Sequence, residues 1–214
     1  LRDVAVGRDS HQVEAIWEAM FRESLLQGRR GSVLRAMSAL DIALWDVNSK
    51  AAGLPLHKYM GSHLEDVVPA YASGGYYVDG KTVEDLAEEI GKYVSMGFEA
   101  AKIKVGGVAT YEDAERIRFA SEALGPKRPL FLDANNTWPD SASAIRAIRV
   151  FEEYAPGWIE EPLMPDDVLG HAQIANAVRT PVATGEIHST RWDFAELVRQ
   201  GAASILQPDK APWE

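Results

Sequence analysis

The stretch FEAAKIKVGG, residues 98–107, sets Lys102 and Lys104 one position apart inside an otherwise apolar run. Side chains on a β-strand alternate faces, so the two lysines share one face while Ala101, Ile103 and Val105 share the other. The apolar set needs a hydrophobic cover, which packed helices supply, and the lysines are thereby sent to the inside of the sheet. Similar runs recur downstream, each ending in a polar residue: PLFLDANN at Asp133, GWIEEPL at Glu160, PVATGEI at Glu186 and ASILQPD at Asp209. Amphipathic helical stretches lie between them, among them TVEDLAEEIGKYVSMG (82–97), with Thr82 as N-cap and Gly97 as stop. Strand and helix alternate six times from VVPAYASGG (67–75) onward, which predicts parallel strands. One polar group per strand, gathered on a common rim, describes the mouth of a TIM-type (β/α) barrel rather than the single switch point of an open sheet.

Residues 1–66 read differently. HQVEAIWEAMF and GSVLRAMSALDIALWDVNSKAAG carry helical periodicity, and GLPLHKYMGS is a turn-rich exit, so this part is expected to be the helical portion of an α+β capping domain. Residues 67–214 are expected to be the first six strands of the barrel. A closed barrel takes about 250 residues and eight strands, so the chain is expected to lack sequence at both ends.

With 22 Lys and Arg against 32 Asp and Glu, the net charge of −10 argues against a nucleic-acid surface. No apolar run approaches the roughly 20 residues of a membrane span, and the reading is of a cytoplasmic protein with a small-molecule partner. Cysteine is absent, which removes disulfides and thiolate metal ligands. Three carboxylates, Asp133, Glu160 and Glu186, at one barrel mouth would repel by about 4 kcal/mol per pair at 4 Å and an effective dielectric near 20. A divalent cation relieves this, and oxygen-only ligands favour a hard ion such as Mg²⁺. Beside such a cation, burial and positive charge lower a lysine pKa towards that of a general base, with Lys104 nearer the strand end as proton acceptor. The pattern describes abstraction of the proton next to a substrate carboxylate, giving a metal-stabilised enediolate. From the residues alone other readings stay open: the lysines as structural ion-pair partners, the three carboxylates as caps of the following helices, Asp209 and Asn135 as turn residues, His188 as a polar neighbour. The remaining histidines, at 11, 57, 63 and 171, and the tryptophans at 17, 45, 158 and 192 read as structural.

The segments SALDIALWDVNSKAAGLPLHKYMG (38–61), AKIKVGG (101–107), LDANNTW (132–138), WIEEPLMPDD (158–167), TGEIHS (184–189) and LQPD (206–209), in that order and spacing, resemble the mandelate racemase and muconate lactonizing enzyme branch of the enolase superfamily. The resemblance implies a capping domain before a modified (β/α)₇β barrel, and one Mg²⁺ held by Asp133, Glu160 and Glu186. It further implies a KxK base in Lys104 with Lys102 as neighbour, substrate contact by Asn135, and Asp209 orienting a catalytic histidine that would lie beyond residue 214. A Glu as third ligand and the QPD aspartate are more similar to the mandelate racemase subgroup than to the cycloisomerases, and WIEEPLMPDD is similar to acid-sugar dehydratases. His188, Thr190 and Arg191 near the third ligand suit a polyhydroxylated substrate. The expected activity is therefore dehydration of a sugar acid to a 2-keto-3-deoxy acid by a homo-oligomeric lyase. A racemase or epimerase using the same bases, a Schiff-base aldolase on Lys104 and a catalytically incomplete metal-binding barrel are the alternatives.

Overall fold

The computed structural model describes residues 1–61 and 67–209; His63 lies outside them. They form two compact units, Leu1–Val68 with the chain from Pro208, and Pro69–Gln207.

The first unit is helical. Helices α1 (Arg2–Ala5), α2 (Val13–Glu23), α3 (Ser32–Ala51) and α4 (Leu56–Tyr59) are joined by turns. Apolar residues at helical spacing on α2 and α3 bury Ile16, Met20, Leu34 and Met37 against one another, and Trp17 stacks on Phe21 at 5.1 Å. The stretch GLPLHKYMGS is not wholly turn: Pro55, which presets φ and needs no N–H partner, precedes the single helical turn α4.

The second unit is a parallel sheet of six strands in sequential order. The strands are β1 (Ala72–Gly74), β2 (Ala101–Lys104), β3 (Leu130–Asp133), β4 (Ile159–Glu160), β5 (Val182–Thr184) and β6 (Ile205–Leu206), and helices α5 (Val83–Ser95), α6 (Thr110–Leu124), α7 (Ser141–Phe151), α8 (Val168–Ala177) and α9 (Arg191–Gln200) connect them. β1 is shorter than the run 67–75, since Pro69 has no N–H to give to a ladder. Alternation sorts the strand residues as the lysine spacing requires. Ile103, Leu132, Ile159 and Val182 are fully buried against Leu86, Ile90, Ile117, Ile148 and Ile174 of the surrounding helices, while Lys102, Lys104, Asp133 and Glu160 take the opposite face. Four of the five helices of this unit begin at a side-chain cap. Thr82 and Asp85 form a reciprocal capping box on α5, Asp140 accepts from Ser143 N, Asp167 accepts from Gly170 N, and Thr190 and Asp193 form a second box on α9. These residues cap α7, α8 and α9, so Asp133, Glu160 and Glu186 are not needed as caps.

At the exit of β1, Gly75 has φ +62°, and a β-carbon there would lie 2.7 Å from the Ile103 side chain. Gly75→Ala is therefore expected to destabilise the protein by about 1–3 kcal/mol, through left-handed backbone strain and displacement of Ile103. Urea denaturation of the two proteins checks this.

Candidate active site

Strand register builds the site. Lys104 pairs with Asp133 and Asp133 with Glu160 across β2, β3 and β4, so three charged residues from neighbouring strands stand at one level. Lys102 Nζ lies 2.6 Å from Glu160 Oε1 and 3.2 Å from Asp133 Oδ2, and Lys104 Nζ is 2.7 Å from Asp133 Oδ2. Asp133 and Glu160 are each 1% exposed. One level below, Tyr71, Phe131 and Trp158 form an aromatic floor, with Phe131 and Trp158 stacked at 3.5 Å and Tyr71 edge-on to both. Trp158 does more than pack: its Nε1–H donates to Glu160 Oε2 at 3.1 Å. Both oxygens of Glu160 are thus held, one by an ammonium and one by an indole.

Glu186 reaches the cluster by a different route. Alternation along β5 sends Val182 outward and Ala183 inward, and a continued strand would send residue 186 outward with Val182. Gly185, at φ +141°, breaks the alternation. The Glu186 carboxyl is raised above its ordinary pKa by burial and then by the negative charges of Glu160 and Asp133, with Lys102 and Lys104 opposing. All five side chains therefore share one electrostatic neighbourhood.

Glu161, which follows Glu160 where β4 ends, is fully buried. Its backbone is left-handed at φ +43°, as are Asn135 (+43°) and Asn136 (+61°) on the facing turn. Asn136 donates its backbone N–H to Glu161 O at 2.7 Å and its amide to Glu161 Oε2 at 3.3 Å, while Glu161 Oε1 and Asn136 Oδ1 are buried without a hydrogen-bond partner. Burial, followed by the charges of Glu186, Asp133 and Glu160, pushes the Glu161 pKa up to about 8. No motif flagged this residue; EEP, two carboxylates before a proline at a strand end, was the available signal.

The other expected residues are placed as follows. Asn135 adopts the left-handed turn geometry that asparagine tolerates and donates its N–H to Asp133 Oδ1 at 3.0 Å. His188 bonds its N–H to Gly185 O, and its ring lies 6.0 Å from that of Phe194. Thr190 serves as the α9 cap, and the Arg191 guanidinium lies over the Trp192 ring. Asp209 falls outside the barrel unit and is exposed. His171 is buried with Nδ1 2.8 Å from Asp167 O, a structural role.

The lowered lysine pKa expected beside a cation belongs to the metal-bound site; in the metal-free protein the balance at Lys102 is set by the neighbouring carboxylates. Burial disfavours its charge, but the hydrogen bond to Glu160 and the attraction of Glu160 and Asp133 outweigh it, and its pKa stands above the ordinary lysine value. The two lysines occupy the place that a cation would compete for. Among the described residues no group of three or more His, Cys, Asp or Glu is set to hold a metal ion. The donor chemistry nevertheless fits a hard divalent cation: oxygen ligands on rigid strand ends, with an excess of negative charge that shows in the raised Glu161 and Glu186.

Glu161 generates a prediction for the metal-free protein. Its pKa is about 8 when folded and 4.5 otherwise, so between these values the folded state binds more protons than the unfolded. Stability contributed by the neutral carboxyl is full below pH 4.5 and is lost as pH rises through 8. Glu161→Gln is expected to remove this slope, at most about 1.4 kcal/mol per pH unit. Denaturation midpoints from pH 5 to 9 check it.

Two family models match the chain: Enolase C-terminal domain-like over residues 85–214, and the Mandelate racemase / muconate lactonizing enzyme N-terminal domain over residues 1–61. Among curated relatives, the 3,6-anhydro-alpha-L-galactonate cycloisomerase of Streptomyces coelicolor is 39% identical over 98% of this chain and 57% of its own. A racemase from Streptomyces coelicolor A3(2) solved with bound magnesium superposes with TM-score 0.91 at 38% identity, covering 98% of this chain and 61% of that one. The L-talarate dehydratase of Polaromonas sp. JS666, solved with Mg and L-glucarate, gives 0.89 at 35% identity, over 97% and 58%. The chain spans a little over half the length of the curated relatives it matches. With both domain models matched and the KxK and carboxylate strand ends in register within the second, the chain belongs to the mandelate racemase and muconate lactonizing enzyme family of the enolase superfamily.

Proposed function

We propose that the protein abstracts the proton next to the carboxylate of a sugar acid and eliminates the β-hydroxyl, giving a 2-keto-3-deoxy acid. The observation that carries this is the register Lys104–Asp133–Glu160, with Glu186 in the same electrostatic field. Asp133, Glu160 and Glu186 would hold one Mg²⁺, which when bound supplies the Lewis acidity that polarises the substrate carboxylate. Relatives solved with magnesium, one of them with L-glucarate, support this choice of ion and substrate class.

The chain's own residues do the rest. Lys104 takes the α-proton on Nζ, for which it has to give up its bond to Asp133. Lys102 neutralises Glu160 and part of Asp133, and Trp158 fixes the second Glu160 oxygen. Asn135, on the turn after β3, contacts the substrate, and His188 stands with Thr190 and Arg191 on the segment after Glu186 for its hydroxyls. The departing hydroxyl leaves as water with a proton from a histidine beyond residue 214, oriented by Asp209, and the resulting enol tautomerises to the keto acid. A cytoplasmic homo-oligomer completes this reading.

The test is a D₂O incubation of the whole protein with Mg²⁺ and a panel of mono- and diacid sugars, L-glucarate included. Keto acid is expected to form; Lys104→Ala is expected to lower both α-deuterium exchange and keto-acid formation by about 10³-fold or more, and EDTA to abolish them. Exchange persisting in Lys104→Ala would sink the base assignment. The similarity to the magnesium-bound racemase favours a second reading, racemisation or epimerisation by the same lysine and histidine bases on opposite faces, and exchange without keto acid would select it.

A further inference from the structure

Tyr76 lies on the segment leaving β1, and its ring is the second partner of the Lys104 amine, whose Nζ stands 5.3 Å from the ring centroid. The residue is 55% exposed, so its own burial does not hold it there. The peptide before it does. Gly75 N donates to Glu89 Oε1 at 3.0 Å, and Gly75 O accepts from Arg116 Nη2 at 2.7 Å. Glu89 is also bonded by Tyr93 OH and by Lys81, whose Nζ reaches back to Tyr76 O at 3.4 Å.

The Arg116 end is built into the sheet. Arg116 and Asp113, both on α6, are 8% and 0% exposed. Asp113 accepts from Tyr77 OH and from Gly106 N, each at 2.6 Å, and Tyr77 OH in turn accepts from Gly107 N at 3.0 Å. The Arg116 guanidinium stacks 4.3 Å over the Tyr77 ring and reaches Lys104 O at 3.5 Å. One buried guanidinium thus bonds both the peptide that precedes Tyr76 and the peptide of Lys104. The two side chains are referred to a common anchor.

We propose that Tyr76 is a positioning residue for Lys104: its ring face confines the amine of a long side chain that otherwise has several rotamers open to it. The assignment rests on Lys104 being the base. The ring face is the active element and the hydroxyl is dispensable, which distinguishes this role from a hydrogen-bonding one.

Reductive methylation with ¹³C-formaldehyde gives a direct readout. The dimethyl-Lys104 resonance, identified by its loss in Lys104→Arg, is expected upfield of ordinary lysines through the ring current in the parent and in Tyr76→Phe, and at the ordinary position in Tyr76→Leu. In the whole protein, with whichever sugar acid of the panel it deprotonates, Tyr76→Leu is expected to lower kcat for α-proton exchange about tenfold with KM within about twofold, and Tyr76→Phe to restore it. An unmoved resonance in Tyr76→Leu, an unchanged kcat, or a rise in KM alone would overturn the proposal. Loss of exchange in Lys104→Ala alongside full kcat in Tyr76→Leu overturns this inference only; exchange retained in Lys104→Ala overturns the base assignment beneath it.

Discussion

The barrel mouth depends on charge compensation at a single level of the sheet. Parallel register brings Lys104, Asp133 and Glu160 side by side, and Lys102 stands one step below on the same face. Two ammonium groups face four carboxylates, those of Asp133, Glu160, Glu161 and Glu186, and the imbalance is visible in the two that no lysine touches. Glu161 and Glu186 both titrate high, first through burial and then through one another's neighbours. Such a site is stable in one of two ways, by keeping protons on its spare carboxyls or by accepting a cation.

The floor of the site sharpens this balance. Phe131 and Trp158, stacked, with Tyr71 edge-on, close the inner face beneath Glu160, so the charges above are solvated chiefly by one another. Low local polarity strengthens each ion pair and raises the cost of each uncompensated charge. It also explains the use of an indole beneath a carboxylate: Trp158 supplies apolar area to the floor and a single donor to its upper layer.

How much of this was legible in the sequence follows from which rule placed each residue. Period-two alternation suffices for Lys102, Lys104, Asp133 and Glu160, because all four lie within regular strands. It fails at Glu186, where Gly185 breaks the strand, and that residue was placed on the rim by its position at the end of an apolar run and not by parity. It also fails at Glu161, whose left-handed backbone returns to the interior a side chain that parity sends away. The buried partners Asp113, Arg116, Tyr77 and Glu89 carry no motif, since their meaning lies in contacts separated by tens of residues along the chain. The pKa of Lys102 depends on which charges are present: the carboxylates alone hold it above the ordinary lysine value, and the lowering expected from the sequence is that of the cation-bound site.

In the proposed chemistry dehydration and racemisation diverge only after the α-proton has moved, and the residues of β2, β3 and β4 would act before that point. Lys104, its partners Asp133 and Tyr76, and the carboxylates held by Lys102 and Trp158 are common to both courses. What separates them is where a proton is delivered next: to the oxygen on the β-carbon, which then leaves as water, or to the opposite face of the carbon that lost its hydrogen. If Lys104 is the base, its place beside Asp133 and the Tyr76 ring sets it on one face of that carbon. Inversion at the α-carbon, or loss of a β-hydroxyl anti to the α-proton, would call for a second proton-transferring group across the substrate from β2, whereas a syn loss would draw on the face that Lys104 serves.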